Sequence, residues 1–171
     1  MIISKGSANG KKEKEGTFVA ENETLFRVGS PDTWGRIDVE ELFGEVHSTQ
    51  LILNIEAAMA RVQARLGIIP QSAADEITRK ARTEYINQKA LFEEIRRVVH
   101  PMVAILNVWA RAMESGAGEY VHYGATTMDI WDTTYVLQLR EAAAIMLNDM
   151  REIELGMMNL AQKYRDTPMI G

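Results

Sequence analysis

The chain has 171 residues, of which 46% are hydrophobic and 25% charged, and its net charge is −5. This balance is typical of a soluble globular protein and gives no support for a nucleic-acid partner or an anionic membrane. The absence of cysteine excludes disulfides and thiolate metal sites. No apolar run approaches the roughly 20 residues of a membrane span, and the N-terminus lacks a signal-peptide core, so we expect a cytoplasmic protein.

The first part of the chain has no apolar period. Residues 1–23 contain the run "KGSANGKKEKEG", which cannot bury enough surface to offset the entropy lost on ordering. We predict a flexible N-terminal arm there. An irregular stretch follows, and a short helix is expected from about Asp38 through "VEELF".

Helical periodicity becomes clear from Ser48 onward. Ser48 or Thr49 is positioned to cap this helix, and Gly67 supplies a stop. Apolar residues that recur at spacings of three and four predict one buried face, made of Leu51, Ile55, Met59, Val62 and Leu66.

Two further helix starts are marked by capping signals. Ser72 and Asp75 have the spacing of a capping box, and Asn87 is suited to cap a helix that runs through Val99.

Pro101 interrupts that pattern and can serve as the first residue of a new helix, from about Met102 to Glu114. No convincing strand is found. We therefore predict that residues 24–118 form an N-terminal helical domain in an all-α protein.

The last predicted helix spans roughly Thr127 to Tyr164, on the order of 55 Å at 1.5 Å per residue. Its apolar residues keep a heptad pattern for about four heptads. Helices as short as the preceding ones cannot cover a seam of that length, so we expect partners from more chain or from other subunits. A surface helix with one apolar stripe is the alternative. The seam consists of Val136, Leu139, Ala143, Met146, Met150, Ile153, Met157, Leu160 and Tyr164.

The stretch "YVHYGATTMDIWDTT", residues 120–134, holds more hydrogen-bonding groups than a helix start needs. Thr126 and Asp129 have the spacing of a capping box and could simply begin the helix. The same helix start offers free backbone donors to an anion, with the Thr126 and Thr127 hydroxyls and the His122 ring beside them. The stretch predicts either a plain cap or a site for a carboxylate or phosphate.

Two histidines are candidate functional groups. His100, which precedes Pro101, is either a helix-terminal histidine or a catalytic group. His100 and His122 flank one helical segment and would line one cleft if that segment and its return loop fold together. His47 has no comparable setting, and we expect it to be structural.

Three stretches carry a family resemblance: "LILNIEAAMARVQARLGIIPQSAADEI", "VVHPMVAIL" and "VHYGATTMDIWDTTYVLQLREA". They resemble the fumarase/aspartase superfamily, in particular its adenylosuccinate lyase and 3-carboxymuconate cycloisomerase branches. The resemblance covers roughly Asp38 to Gly171, and the third stretch is similar to the first signature region of that superfamily.

The resemblance implies that residues 119–171 form a signature loop and the first long helix of a central helix bundle. It implies β-elimination of a small dicarboxylate substrate, with C–N cleavage and release of fumarate, in a homotetramer whose active sites are shared between subunits. No metal or organic cofactor is implied. Since family members continue with further catalytic residues, the chain would correspond to an N-terminal third that is inactive alone. A cycloisomerase and a non-catalytic helical oligomerisation module are the alternatives.

The resemblance also implies residue roles. His100 and His122 are the candidate catalytic residues: His100 would lie beside the leaving group, and His122 would contact the substrate. The substrate-binding candidates are Thr126 and Thr127, which would hold a carboxylate, together with Tyr123 in the wall of the site and Asp129 as a brace of the loop.

Two departures from adenylosuccinate lyases bear on the substrate. Those enzymes carry Arg-Tyr where this chain has "DTWGRID", with Trp34 and Arg36, and aspartate where Pro101 follows His100. Both weaken the case for a nucleotide substrate and leave another amino-dicarboxylate or a cycloisomerase substrate open.

Overall fold

The computed structural model describes residues 37–168 and residue 170, and all regular secondary structure in that part of the chain is helical. The predicted arm at residues 1–23 and the departures at Trp34 and Arg36 lie outside the described residues. The all-α prediction is confirmed. The helices are α1 (Ile37–Leu42), α2 (Glu45–Arg65), α3 (Gln71–Arg79), α4 (Gln88–Val98), α5 (Pro101–Arg111) and α6 (Thr127–Lys163), with 3-10 turns at Thr83–Tyr85 and Ala117–Tyr120.

Helix α2 begins earlier than predicted, and the predicted caps Ser48 and Thr49 are wrong. Gly44 is the N-cap, with extended backbone angles, and its carbonyl accepts the N–H of Ser48 at 3.0 Å. The hydroxyl of Ser48 instead accepts from Nε2 of Gln138 in α6, at 2.9 Å. Ser48 is therefore used to join two helices.

The predicted buried face of α2 is also wrong at its C-terminal end. Val62 is 44% exposed and Leu66 is 69% exposed. The helix buries Leu53, Ala57 and Ala60 instead, and the two alanines let neighbouring helices approach closely. Periodicity of large apolar residues does not detect a face of that kind.

The predicted capping box of α3 is wrong. Pro70 is the N-cap and makes no side-chain cap, so Ser72 lies one residue inside the helix. Asp75 accepts a hydrogen bond from Nε2 of Gln71 at 2.8 Å. Proline readily takes the extended conformation before a helix, which moves the start ahead of the serine.

The predicted start of α4 is confirmed, because Oδ1 of Asn87 accepts from the N–H of Ala90 at 2.9 Å. Pro101 begins α5 as predicted.

Two apolar clusters hold the helices together. The larger one surrounds Trp109 of α5, whose ring is fully buried and whose Nε1 donates to the carbonyl of Lys80 at 2.7 Å. The smaller one brings together α2, α5 and α6 and places the starts of α5 and α6 against the same face of α2. Its buried members are Ile52, Met102, Leu106 and Ile130.

The buried residues of α6 all lie in the first third of the helix. Its buried residues are Ile130, Thr134 and Gln138, and Nε2 of Gln138 donates to the carbonyl of Leu42 at 2.6 Å. Beyond Gln138 no described side chain of α6 is buried. The large seam residues are between 52% and 64% exposed. This exposure is expected, because the seam is longer than the preceding helices can cover. None of the described helices combines the length and apolar character that a bilayer crossing requires.

Helices α4 and α5 are joined by a buried carboxylate. Glu94 is 3% exposed and accepts from Nδ2 of Asn107 at 2.7 Å and from Nη2 of Arg111 at 2.8 Å. Nε of Arg97 donates to it at 3.1 Å. Hydrogen bonds from the two guanidinium groups, Arg97 first, lower the pKa of Glu94 to about 2.

We expect Glu94→Gln to lower the free energy of unfolding at pH 7. Since the pKa of Glu94 falls from 4.5 to about 2 on folding, its ionised form stabilises the fold above about pH 4.5, and this contribution is lost as the pH falls toward 2. Urea unfolding of both proteins at several pH values should show a midpoint difference that shrinks over that range. Glu93→Gln, an exposed neighbour on α4, is the control. A midpoint difference independent of pH would contradict this assignment.

Candidate substrate-binding loop

A short loop, residues 121–126, connects the 3-10 turn at Ala117–Tyr120 to α6. Two of its residues have left-handed backbone angles, with φ of 61° at His122 and 74° at Gly124. Glycine takes this conformation without steric cost, but it is uncommon for a residue with a Cβ. His122 therefore needs external support.

A buried glutamate from α2 supplies that support. Glu56 is 1% exposed, and both of its carboxylate oxygens bond to His122. Oε2 accepts the backbone N–H at 3.1 Å, and Oε1 lies 2.6 Å from Nδ1 of the ring. Because an ionised carboxylate only accepts hydrogen bonds, this network assigns a proton to Nδ1. The second ring nitrogen, Nε2, is left for other partners.

Burial and hydrogen bonding act in opposite directions on Glu56. Removal from water raises the pKa of the carboxyl, whereas the hydrogen bonds and the charge of His122 lower it, and the balance lies above the ordinary value. A buried carboxylate is tolerated only where its lone pairs are satisfied. The same two bonds that shape the loop therefore offset part of the cost of burying the Glu56 carboxylate.

Gln63 provides a second tie between α2 and the loop. Its Nε2 donates to the carbonyl of Tyr123 at 2.6 Å, and its Oε1 is the only buried side-chain nitrogen or oxygen without a partner among the described residues. Glu56 and Gln63 are seven residues apart, which places both on one face of the helix. The side chain of Tyr123 itself is 51% exposed.

The predicted capping box at the start of α6 is confirmed. Oδ2 of Asp129 accepts the N–H of Thr126 at 2.9 Å, and Oγ1 of Thr126 accepts the N–H of Asp129 at 3.4 Å. The N–H groups of Thr127 and Met128 belong to the first turn and have no acceptor within the helix. Thr126 is exposed and Thr127 half-buried, so neither is enclosed in the core.

The hydroxyl of Thr127 has no hydrogen-bond partner in the described part of the chain. With the open N–H groups of the first turn, it forms a set of donors at the positive end of a helix. Such a set is suited to bind an anion, and the capping box holds it in place without using it.

His100 is the N-cap of α5, and its Nδ1 accepts from the N–H of Val103 at 3.4 Å. His100 therefore has the helix-terminal role, one of the alternatives that the sequence leaves open. In a neutral ring an accepting Nδ1 leaves the proton on Nε2, which is the opposite tautomer to His122. Because Met102 and Ile130 share an apolar cluster, His100 lies at a helix start that packs beside the start of α6.

His47 has the structural role that was predicted. Its Nε2 lies 2.8 Å from Oε2 of Glu141 and joins α2 to α6.

Sequence reasoning missed Glu56 and Gln63. The only local signal for Glu56 is a charged residue inside the apolar run "NIEAAMA". A charged residue in a helix is normally exposed to solvent. The partner of Glu56, His122, is 66 residues away and gives no local signal.

Comparison with known proteins covers most of the described chain. A family described as lyase matches residues 36–171. Adenylosuccinate lyase from Methanocaldococcus jannaschii is 32% identical over 158 residues, which are 92% of this chain and 33% of that protein. The chain spans about a third of the length of the curated relatives it matches.

Two solved structures share the fold. Fumarate lyase from Mesorhizobium sp. BNC1 is 37% identical with a TM-score of 0.72, over 81% of this chain and 33% of that one. The beta-carboxy-cis,cis-muconate cycloisomerase of Acinetobacter calcoaceticus sp. ADP1 is 33% identical with a TM-score of 0.72, over 80% of this chain and 33% of that one. A fumarate lyase and a muconate cycloisomerase thus both share this fold.

Proposed function

The chain belongs to the lyase family of the fumarase/aspartase superfamily, and from this premise we propose that it forms part of a carbon–nitrogen lyase. The reaction is a β-elimination that releases fumarate from an amino-dicarboxylate, as in adenylosuccinate lyase. The observation that carries the proposal is the open helix start of α6, where the Thr127 hydroxyl and two N–H groups follow the anchored His122 by five to six residues.

The chemistry requires fixed donors at a carboxylate. A base removes the proton from the carbon next to the carboxylate, and the electron pair of that C–H bond moves into the carboxylate. The resulting aci-carboxylate carries two negative charges. Its electrons then form the carbon–carbon double bond while the C–N bond breaks, and the nitrogen leaves with its electron pair and takes a proton. Donors aimed at the carboxylate stabilise the intermediate more than the substrate.

The start of α6 provides donors of this kind. The hydroxyls of Thr126 and Thr127 and the first-turn N–H groups bind the carboxylate, and the partial positive charge of the helix end favours the doubly charged state. Asp129 holds this turn through the capping box. Tyr123, held by Gln63 through its carbonyl, forms an exposed wall of the site.

The two histidines take different parts. His122 contacts the substrate through Nε2, since Nδ1 is bonded to Glu56. His100 lies beside the leaving group. As its Nδ1 accepts the cap hydrogen bond, the Nε2 of its neutral ring carries a proton that can be donated to the departing nitrogen.

Lactonisation of a carboxymuconate is the second candidate function. The similarity to a muconate cycloisomerase structure supports it. Pro101, where adenylosuccinate lyases commonly have aspartate, weakens the case for a nucleotide substrate and leaves this candidate open. Assays of one protein with adenylosuccinate and with 3-carboxymuconate distinguish the two. A non-catalytic helical module would convert neither substrate.

We expect Thr127→Ala to lower kcat/KM for fumarate release about 100- to 1,000-fold, because one preorganised donor at a developing oxyanion is worth about 2.7–4 kcal/mol. The measurement is fumarate absorbance with the longest natural reading frame that contains this sequence. Thr133→Ala is the matched control, as that hydroxyl bonds to the carbonyl of Asp129, on the exposed side of the same helix. Equal activity of the Thr127→Ala variant and the unchanged protein would contradict a carboxylate-binding role for the Thr127 hydroxyl.

We further propose that the exposed seam of α6 packs against other helices in a homotetramer. An apolar heptad seam is suited to helix–helix packing, and this one is more than half exposed along its length. The seam begins within ten residues of the site, so that assembly and substrate binding use one helix.

In the same reading frame, Met150→Glu combined with Ile153→Glu is expected to produce smaller species in sedimentation velocity, because two charges would be buried in the seam. Leu155→Glu is the control: Leu155 is 60% exposed, like the two seam residues, but lies off the seam. Unchanged sedimentation of the double variant would contradict assembly through the seam.

A further inference from the structure

We propose that Glu56 is the positioning residue of His122 and sets which ring nitrogen faces the substrate. The inference rests on the proposed function and adds to it a residue from α2, in a different part of the chain from the loop. Its basis is geometric: one carboxylate bonds to both the ring and the backbone of a single histidine.

The contact is specific to this residue pair. Glu56 is almost fully buried, and both of its oxygens are used on His122. The hydrogen bond from the backbone N–H of His122, or the one from Gln63 to Tyr123, would be enough to attach the loop to α2. The additional 2.6 Å contact to Nδ1 restricts the ring itself.

That restriction has a chemical consequence. With Nδ1 as the donor to Glu56, a neutral His122 carries a lone pair on Nε2, and a charged His122 carries a proton there. All exchange of protons or hydrogen bonds with a substrate then occurs at Nε2. Carboxylates that hold histidines in this way fix the tautomer and the ring orientation, and stabilise the charged ring.

The left-handed backbone of His122 supports the same conclusion. With its φ of 61°, both the N–H and the ring of His122 contact Glu56. Gly124, two residues later, is also left-handed, which turns the chain back toward the start of α6. Glu56 thereby places the ring at a fixed point relative to the donors of Thr127.

The decisive substitution is Glu56→Gln in the longest natural reading frame. The amide has the same shape and can still accept the backbone N–H with its oxygen, but its nitrogen donates to Nδ1 and moves the ring proton to Nε2. We expect kcat/KM to fall about 10- to 100-fold, the usual loss when the partner of a functional histidine is removed. Glu56→Asp retains a carboxylate and should recover part of the activity.

The ring is observed directly by solid-state 15N NMR with histidine labelling, and the His122→Gln variant assigns its signals. The unchanged protein should show a protonated Nδ1 and an unprotonated Nε2 in the neutral ring, and Glu56→Gln should reverse them. Glu76→Gln is the control: Glu76 of α3 is buried and bonded to Lys80, the C-cap of that helix, so its loss affects stability but not the His122 signals.

The following outcomes decide whether Glu56 positions the ring of His122. A neutral His122 with its proton on Nε2 in the unchanged protein overturns the proposal, even if no variant folds. Equal activity and ring signals in Glu56→Gln and the unchanged protein also overturn it. Reversed ring signals in a protein that releases no fumarate would retain the positioning role and reject the proposed lyase reaction.

Discussion

The site depends on one buried carboxylate. Glu56 lies in the core side of α2, where an unsatisfied charge would be strongly unfavourable, and its two oxygens are satisfied by a single residue of the loop. Breaking a buried pair by removing one partner typically costs about 3–5 kcal/mol. Two hydrogen bonds from His122 to this buried carboxylate therefore hold the loop to α2.

The long helix carries both features on which the proposed substrate binding and the proposed assembly rest. Its first turn is fixed by the capping box of Thr126 and Asp129 and by Ile130 in a shared apolar cluster. These contacts leave first-turn donors open toward solvent. Farther along, the helix has few contacts with the described chain and exposes its apolar seam. A substrate-binding end and an assembly surface on one rigid helix would couple the geometry of the site to the packing of the bundle.

Sequence reasoning succeeded where local signals determine the structure. Thr126 and Asp129 were predicted as a capping box, Asn87 as a cap, and α6 was predicted to end within one residue of Lys163. It failed where tertiary contacts outweigh local preference, as at Ser48, which bonds to α6 instead of capping α2. The site was only partly predictable. Glu56 has a local sequence typical of a solvated helix, and only a partner 66 residues away explains its burial.

We propose above all that the start of α6 binds a substrate carboxylate close to the anchored His122. A crystal structure of the longest natural reading frame with bound fumarate tests it directly. We expect one fumarate carboxylate within hydrogen-bond distance, about 2.7–3.2 Å, of the Thr127 hydroxyl and a first-turn N–H. We also expect Glu56 to keep its contact with Nδ1 of His122. Fumarate bound elsewhere, with the loop empty and the ring of His122 turned away from Glu56, would contradict it.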